Sequence, residues 1–280
     1  MRARGRKRRV SLDRGTTLGA AIVFVLLLVA ALAPFISAGT PEAMDFNAIL
    51  AGPSGAHLMG TDNFGRDVLT RVLFGLRVSM AAAIGSVAVA LLIGVPLGLL
   101  AGYRRGWIDA VIMRPADVVM AFPAIVLVVA LAGVFGQNLV LMILTIGFVF
   151  APIIVRVMRG AAMEVGTALF IEGARARGGS HLRVMVRHVL PNAISPVLVQ
   201  ASALMGVAIL MEAALSFIGL GVQPPKPSLG LMLSDGRSYM GDAPWLVIAP
   251  GLGIVIAVLG FNLLGDGIPR LFDPARRVQS

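Results

Sequence analysis

The sequence predicts an all-α membrane protein with six transmembrane helices, and three observations carry that prediction. The chain of 280 residues is 58% hydrophobic and only 14% charged, with a mean hydropathy of +0.90. Soluble domains average about 45–50% apolar and about 25% charged, and a soluble globule of this length must turn part of its chain to water. Second, stretches free of Asp, Glu, Lys and Arg recur along the chain, where one such charge at a membrane centre costs about 2.5–3.5 kcal/mol. Third, the basic residues fall on alternate sides of those stretches.

The first uncharged run is Gly15–Pro41 and the second Val78–Tyr103. Val118–Val155 holds 38 residues, nearly twice the ~20 a spanning helix needs. It therefore divides into two spans, with Gly133, Gly136, Gln137 and Asn138 as the turn. Phe122-Pro123 should kink the third span, because proline lacks a backbone donor. A fifth run covers Val189–Met211 and continues past Glu212 to Pro225; the last is Ala243–Gly265. The chain then divides into a basic N-terminus over 1–14, a first span over 15–41, an outer segment over 42–77, a five-helix core over 78–265 and a C-terminus over 266–280. Within the outer segment, Val68, Arg71, Val72 and Gly75 have helical spacing and predict an amphipathic helix along the surface.

Six spans put both termini on one side. With that side cytoplasmic, 19 of 24 Lys and Arg lie inside, and only Arg66, Arg71, Arg77, Lys226 and Arg237 lie outside. Acidic residues divide almost evenly. A bias in Lys/Arg alone is the positive-inside signature and places both termini in the cytoplasm. Arg2–Arg9 followed by Leu18–Ile36 has the order of a signal peptide, but its apolar run exceeds the 7–15 residues of a signal core and no clean small-residue cleavage site precedes Gly39. The segment reads as an uncleaved anchor, and its arginines as facing anionic lipid rather than nucleic acid. With no Cys, disulfides, thiol catalysis and Cys-ligated metals are excluded.

The cytoplasmic loop 156–191 is the most patterned segment. Leu169–Arg177 predicts a short helix, Gly178-Gly179 its end, and Ser180 the N-cap of another helix. There Leu182, Met185, Val186 and Val189 make one apolar face, with Arg183 and Arg187 opposite, and Pro191 closes the segment. Gly173, Ala174 and Ala176 form a small-residue surface beside Glu172. A short exposed helix of this kind suits docking into a groove of another protein. The plainer reading, a helix that covers the inner end of the bundle, stands beside it.

Glu172-Gly173-Ala174, then Arg175 and Ala176, Gly178-Gly179-Ser180, and His188-Val189-Leu190-Pro191 resemble the EAA loop of binding-protein-dependent ABC transporter permeases. Gly173 stands where that family usually has Ala. His188 is similar to the dipeptide/oligopeptide/nickel branch. Three more stretches resemble the C-type subunit of that branch: Gly60-Thr61-Asp62 with Gly65-Arg66-Asp67, Glu212 with Ser216-Phe217 and Gly219–Pro225, and Asn262–Gly267 with Asp273-Pro274. The resemblance implies a type I ABC importer permease fold with a cytoplasmic coupling helix, in a bacterial plasma membrane. It also implies a heterodimer with a homologous permease, ATP-binding subunits that hold ATP and Mg, and an extracytoplasmic solute-binding protein. No cofactor is implied in this chain, and the cargo implied is a peptide, a nickel chelate or a similar small solute.

Other chemistries find little support. A P-loop requires G-x-x-x-x-G-K-[ST], yet the two lysines are Lys7 in the arginine tract and Lys226 between prolines, so energy must come from another chain. Glu212 is the one carboxylate deep in an apolar run, a functional candidate by default. With Ser216 and Phe217 it is expected at a pore or outer vestibule, since proton relay would need a chain of partners. His57 lies across the membrane from His181 and His188, so no three-His metal site forms. Ser216 has no histidine in its span to activate it. An integral-membrane enzyme or an ion-coupled carrier remain the competing classes; the carrier would need charge relays or inverted repeats.

Overall fold

Where the uncharged runs lie, the chain is helical. The computed structural model describes residues 14–37 and 39–272; Arg2–Arg9 and Asp273-Pro274, used in the charge and motif readings, lie outside the described residues. The helices are α1 (Arg14–Ile36), α2 (Val68–Arg104), α3 (Gly106–Met120), α4 (Ala124–Phe135), α5 (Leu139–Val165), α6 (Leu169–Ala176), α7 (His181–Val184), α8 (Leu190–Phe217), α9 (Leu229–Gly236) and α10 (Trp245–Phe272). Side-chain caps start several of them. Asp67 accepts the Thr70 N–H at 2.8 Å and Asn138 the Leu141 N–H at 2.9 Å, satisfying donors that a first turn leaves free. The one β-bridge among the described residues pairs Thr61 with Asp67.

Close packing at glycines fixes the direction of each helix. A methyl group at Gly94 would meet Ala151 and Ile154, one at Gly98 Val155 and Met158, and one at Gly102 Arg159 and Ala162. The numbers rise together, so α2 and α5 run parallel. The chain between them must therefore return from the end of α2 toward its first half. Gly85 faces Ile143 near the start of α5, so the return spans Gly85 to Arg104, about 28 Å at 1.5 Å per residue. That is about the hydrocarbon thickness of a bilayer. α3 and α4 make this return as a bent pair, at 90° to one another, so the pair is the third span and the six-span reading stands. The kink predicted at Phe122-Pro123 is a full break: Pro123 precedes α4 and has no N–H to continue α3. Residues 106–114, between the second and third uncharged runs, belong to α3, which Arg156–Asp117 (2.7 Å) and the twofold Arg159–Asp109 pair brace against α5.

The other helices alternate. Ser79 meets Glu212 and Tyr103 meets His181, so α8 runs opposite to α2. Gly206 lies against Asn262 and Gly265 against Ser202, so α10 reverses again. Gly19 against Leu264 and Gly260 against Ile22 set α1 antiparallel to α10. The start of α1 and the end of α10 thus share the end of the bundle that carries α6, here termed the loop end. Large apolar side chains face outward at mid-helix, among them Phe24, Leu92 and Leu252, as lipid contact requires and water would oppose.

One predicted element is differently placed. The stretch with Val68, Arg71, Val72 and Gly75 is the first two turns of α2, not a surface helix. No Gly-Pro break separates it from the rest of α2, and Val68, Arg71 and Gly75 all face inward.

Candidate functional site

α6 has two faces at the loop end. Ile171 and Ala174 pack into the bundle, while Leu169 and Phe170 are 83% and 51% exposed, beside exposed Glu172, Arg175 and Ala176. The small-residue surface expected at Gly173, Ala174 and Ala176 is thereby divided. Ile171 and Ala174, three residues apart, share the inward stripe, and Ala176 lies on the far side of the helix. The outward face is led by two apolar side chains and a carboxylate.

The turn after α6 follows from its glycines. Gly179 N–H donates to Ala174 O at 3.2 Å and Gly178 N–H to Arg175 O at 2.9 Å, the paired bonds of a Schellman ending, with Gly178 at φ 79° where only glycine is unstrained. Ser180 Oγ then accepts the Arg183 N–H at 3.4 Å and starts α7.

The second limb departs from the sequence pattern. Leu182 and Val186 are exposed, and Val184 and Val189 are the buried pair. The expected face assumed 3.6 residues per turn. Met185–Val189 is instead a π turn, in which Leu190 N–H donates to Met185 O five residues back, so inward positions recur at five. His188 and Leu190 are half-buried and Pro191 exposed. Pro191 does not end the helix: it stands in the first turn of α8, where a missing N–H costs least.

Tyr103, in the last turn of α2, was not singled out by any motif. It is buried, its OH lies 3.1 Å from His181 Nδ1, and the Arg175 guanidinium sits 5.0 Å over its ring. A lone aromatic at a helix end among basic residues was the only sequence signal.

The opposite end, the knot end, gathers Gly60, Thr61, Asp62, Gly65, Arg66 and Asp67 into one structure. Asp62 accepts the N–H groups of Phe64 (2.9 Å) and Arg66 (3.0 Å), Arg66 Nε at 2.6 Å, and faces Arg71 Nε at 3.4 Å. Arg71 also donates to Pro41 O at 3.1 Å. The Thr61 hydroxyl donates to the Ala48 carbonyl, and Trp245 Nε1 donates to Thr61 O at 3.2 Å. Asp67 caps α2 and pairs with His57 Nδ1 at 3.1 Å. Gly60 and Gly65 hold φ of 73° and 72°, and a methyl group at Gly65 would overlap the Asp45 carbonyl. Two buried guanidinium groups held by one carboxylate explain why this stretch mixes charge with glycine. A cleft of about 590 Å³ opens beside it, with Arg66, Arg71, Pro225, Asp235 and Tyr239 in its wall.

Glu212 is fully buried. Ser79 Oγ donates to it at 2.6 Å and Ser216 Oγ at 2.7 Å, and Ser228 is a third hydroxyl partner. Ser228 Oγ also accepts the Leu231 N–H at the start of α9. The vestibule placement of Glu212 and Ser216 is therefore replaced by a sealed tie among α2, α8 and α9, with Phe217 half-buried under Arg237. α9 folds back over the end of α8, and Gly230 and Gly221 press against Ala213 and Ser216 without room for a methyl group. α9 falls between the last two uncharged runs, and its signal in the sequence is Ser228 before Leu229, Leu231 and Met232, a capped apolar stretch.

Residues 94–278 match the family of binding-protein-dependent transport system inner membrane components. The dipeptide transport system permease protein of Alkalihalophilus pseudofirmus is 41% identical over 256 residues, 91% of this chain and 84% of the relative. The glutathione transport system permease protein of Pectobacterium atrosepticum is 42% identical over 261 residues, 91% and 86% of the two chains. The probable D,D-dipeptide transport system permease protein of Escherichia coli is 41% identical over 259 residues, 92% and 87%. In a solved inward-facing methionine ABC transporter, one chain superposes with a TM-score of 0.61 at 21% identity, over 72% of this chain and 96% of that one; that likeness concerns the fold.

Proposed function

The chain belongs to the inner-membrane component family of binding-protein-dependent transport systems, and from that premise we propose how its two ends divide the work of import. It is a membrane-spanning permease subunit of an ABC importer. Its cargo is a di- or oligopeptide, or a peptide such as glutathione, handed over at the knot end by an extracytoplasmic binding protein. The named cargoes of three relatives, all short peptides, support that class. The loop end faces the cytoplasm, with both termini, in a bacterial plasma membrane; the distribution of 19 of 24 Lys and Arg supports this orientation. A homologous permease completes the pore.

The observation that carries the reading is the outward face of α6. Leu169, Phe170 and Glu172 stand exposed on a helix anchored by Ile171 and Ala174 and ended by a rigid Schellman turn. That is the form of a helix laid into a groove. ATP and Mg bind in the partner subunits that supply the groove. When ATP closes the ATPase pair, α6 is carried with it, and the spans turn the pore outward; hydrolysis resets the inward-facing state. In this scheme Glu172, Gly173, Arg175, Ala176, Gly178, Gly179, Ser180, His188, Leu190 and Pro191 serve the coupling loop.

The test is the assembled importer in liposomes. Glu172→Lys or Gly178→Pro should leave the chain inserted yet abolish uptake of a labelled dipeptide and of glutathione, together with binding-protein-stimulated ATP hydrolysis. Normal uptake by both variants would end the coupling assignment. Turnover of a substrate by the purified chain alone would favour a membrane enzyme instead.

A further inference from the structure

α6 touches the bundle through very little. Ile171 and Ala174 are its only buried residues, and in the turn after it Arg177, Gly178 and Ser180 are exposed. Beside these stands Tyr103, which reaches both limbs of the loop at once: Arg175 of α6 caps the ring at 5.0 Å, and His181 of α7 meets the OH at 3.1 Å, its ring edge-on at 5.9 Å. The two limbs flank the Schellman turn, so Tyr103 stands between them as a wedge.

What Tyr103 is attached to matters as much. It is the penultimate residue of α2, whose last turns cannot slide on α5: Gly98 and Gly102 have no room for a methyl group against Val155, Met158, Arg159 and Ala162. Arg105 Nη2 closes the same corner by donating to Met163 O at 3.0 Å. At its other end α2 is held by Asp67 and Arg71 in the knot and by Ser79 on Glu212. A continuous 37-residue helix, about 55 Å long at 1.5 Å per residue, therefore joins the loop to the sealed tie near α9, and its interior Pro96 lies between Gly94 and Gly98, both packed on α5.

We propose that Tyr103 is the positioning residue that clamps both limbs of the coupling loop to the end of α2, so that displacement of α6 becomes displacement of the α2–α5 pair. The inference rests on the reading that α6 meets the ATPase. It assigns to Tyr103 no contact with cargo or nucleotide.

The chain has no cysteine, so Ile218→Cys at the exposed knot-end terminus of α8 takes a single environment-sensitive fluorophore. The complete importer, with reactive cysteines removed from its partners, is trapped with ATP and vanadate. In the parent complex, trapping should change the fluorescence. Tyr103→Leu should trap nucleotide normally but lower that change about fivefold, the lower limit of usual site-to-site coupling. Tyr103→Phe keeps the ring and loses one hydrogen bond, so the loss should be about twofold. His181→Ala removes the partner of the Tyr103 OH while leaving Tyr103 and the exposed face of α6 in place; it should match Tyr103→Phe and decides the matter if Tyr103→Leu fails to assemble. A full-sized signal in His181→Ala overturns the proposal while the coupling reading stands. No signal in the parent, despite trapped nucleotide, overturns the coupling reading itself. A merely structural role for Tyr103 would reduce assembled complex and leave the signal per trapped nucleotide unchanged.

Discussion

The two ends of this bundle use polar residues in opposite ways. At the knot end, Asp62, Arg66, Arg71, Thr61 and Asp67 are spent on one another, on His57 and on backbone, and Glu212 on serine hydroxyls; all but Asp67 and His57 are buried. At the loop end Arg159 and Asp109 also pair, but on the loop itself Glu172, Arg177 and Arg183 stand exposed around an apolar pair; α6 rests on Ile171, Ala174 and Tyr103, and the second limb on Val184 and Val189. A segment whose groups are satisfied internally is built to hold shape; one that leaves them outward is built to be held by something else.

Five variants would sharpen or break that contrast. The largest effect is expected from Asp62→Ala. It leaves Arg66 and Arg71 buried without their carboxylate, which should cost about 3–5 kcal/mol, read as a drop in unfolding midpoint of the detergent-purified chain. Little change would mean that the knot is ornamental. Glu212→Ala comes next, at about 3 kcal/mol, because it removes a buried side chain and orphans three serine hydroxyls. Glu212→Gln keeps the volume and one acceptor and should recover part of the loss; equal losses would argue against the hydroxyl cluster as the cause.

Smaller effects belong to the loop end. Gly178→Ala forces a side chain into the left-handed region, about 1–2 kcal/mol locally, and should raise the protease sensitivity of 177–180 without moving the global unfolding midpoint. Leu169→Ala with Phe170→Ala should shift stability by no more than about 0.5 kcal/mol, as exposed positions do. Association with the ATPase subunits should nevertheless fall about tenfold, measured by pull-down titration, because apolar anchors dominate such grooves. A large stability loss there would show that this face is packed, not offered.

The residues differ in how legible they were. Six spans were readable because every charge in a bilayer core is costly, and the end of α6 because Gly178-Gly179 permits little else. Arg71 and Glu212 could not be placed from sequence: a charge reads as exposed or functional until its partners, 9 and 133 residues away along the chain, are known. The π turn at Met185–Val189 hid the inward face of α7, since one extra residue per turn moves every apolar position. Tyr103 carried no pattern at all.

By itself the sequence determined that the chain is a bundle of long apolar helices and that a glycine turn ends a short helix in the loop 156–191; these depend on local hydropathy and turn chemistry. The tertiary structure alone decided that α3 and α4 form one broken span, that α2 and α5 run parallel on glycines, and that Glu212 is sealed by serines from three segments. Those outcomes depend on contacts between residues far apart in the chain, and no local rule encodes which distant neighbour fills the space that a glycine leaves.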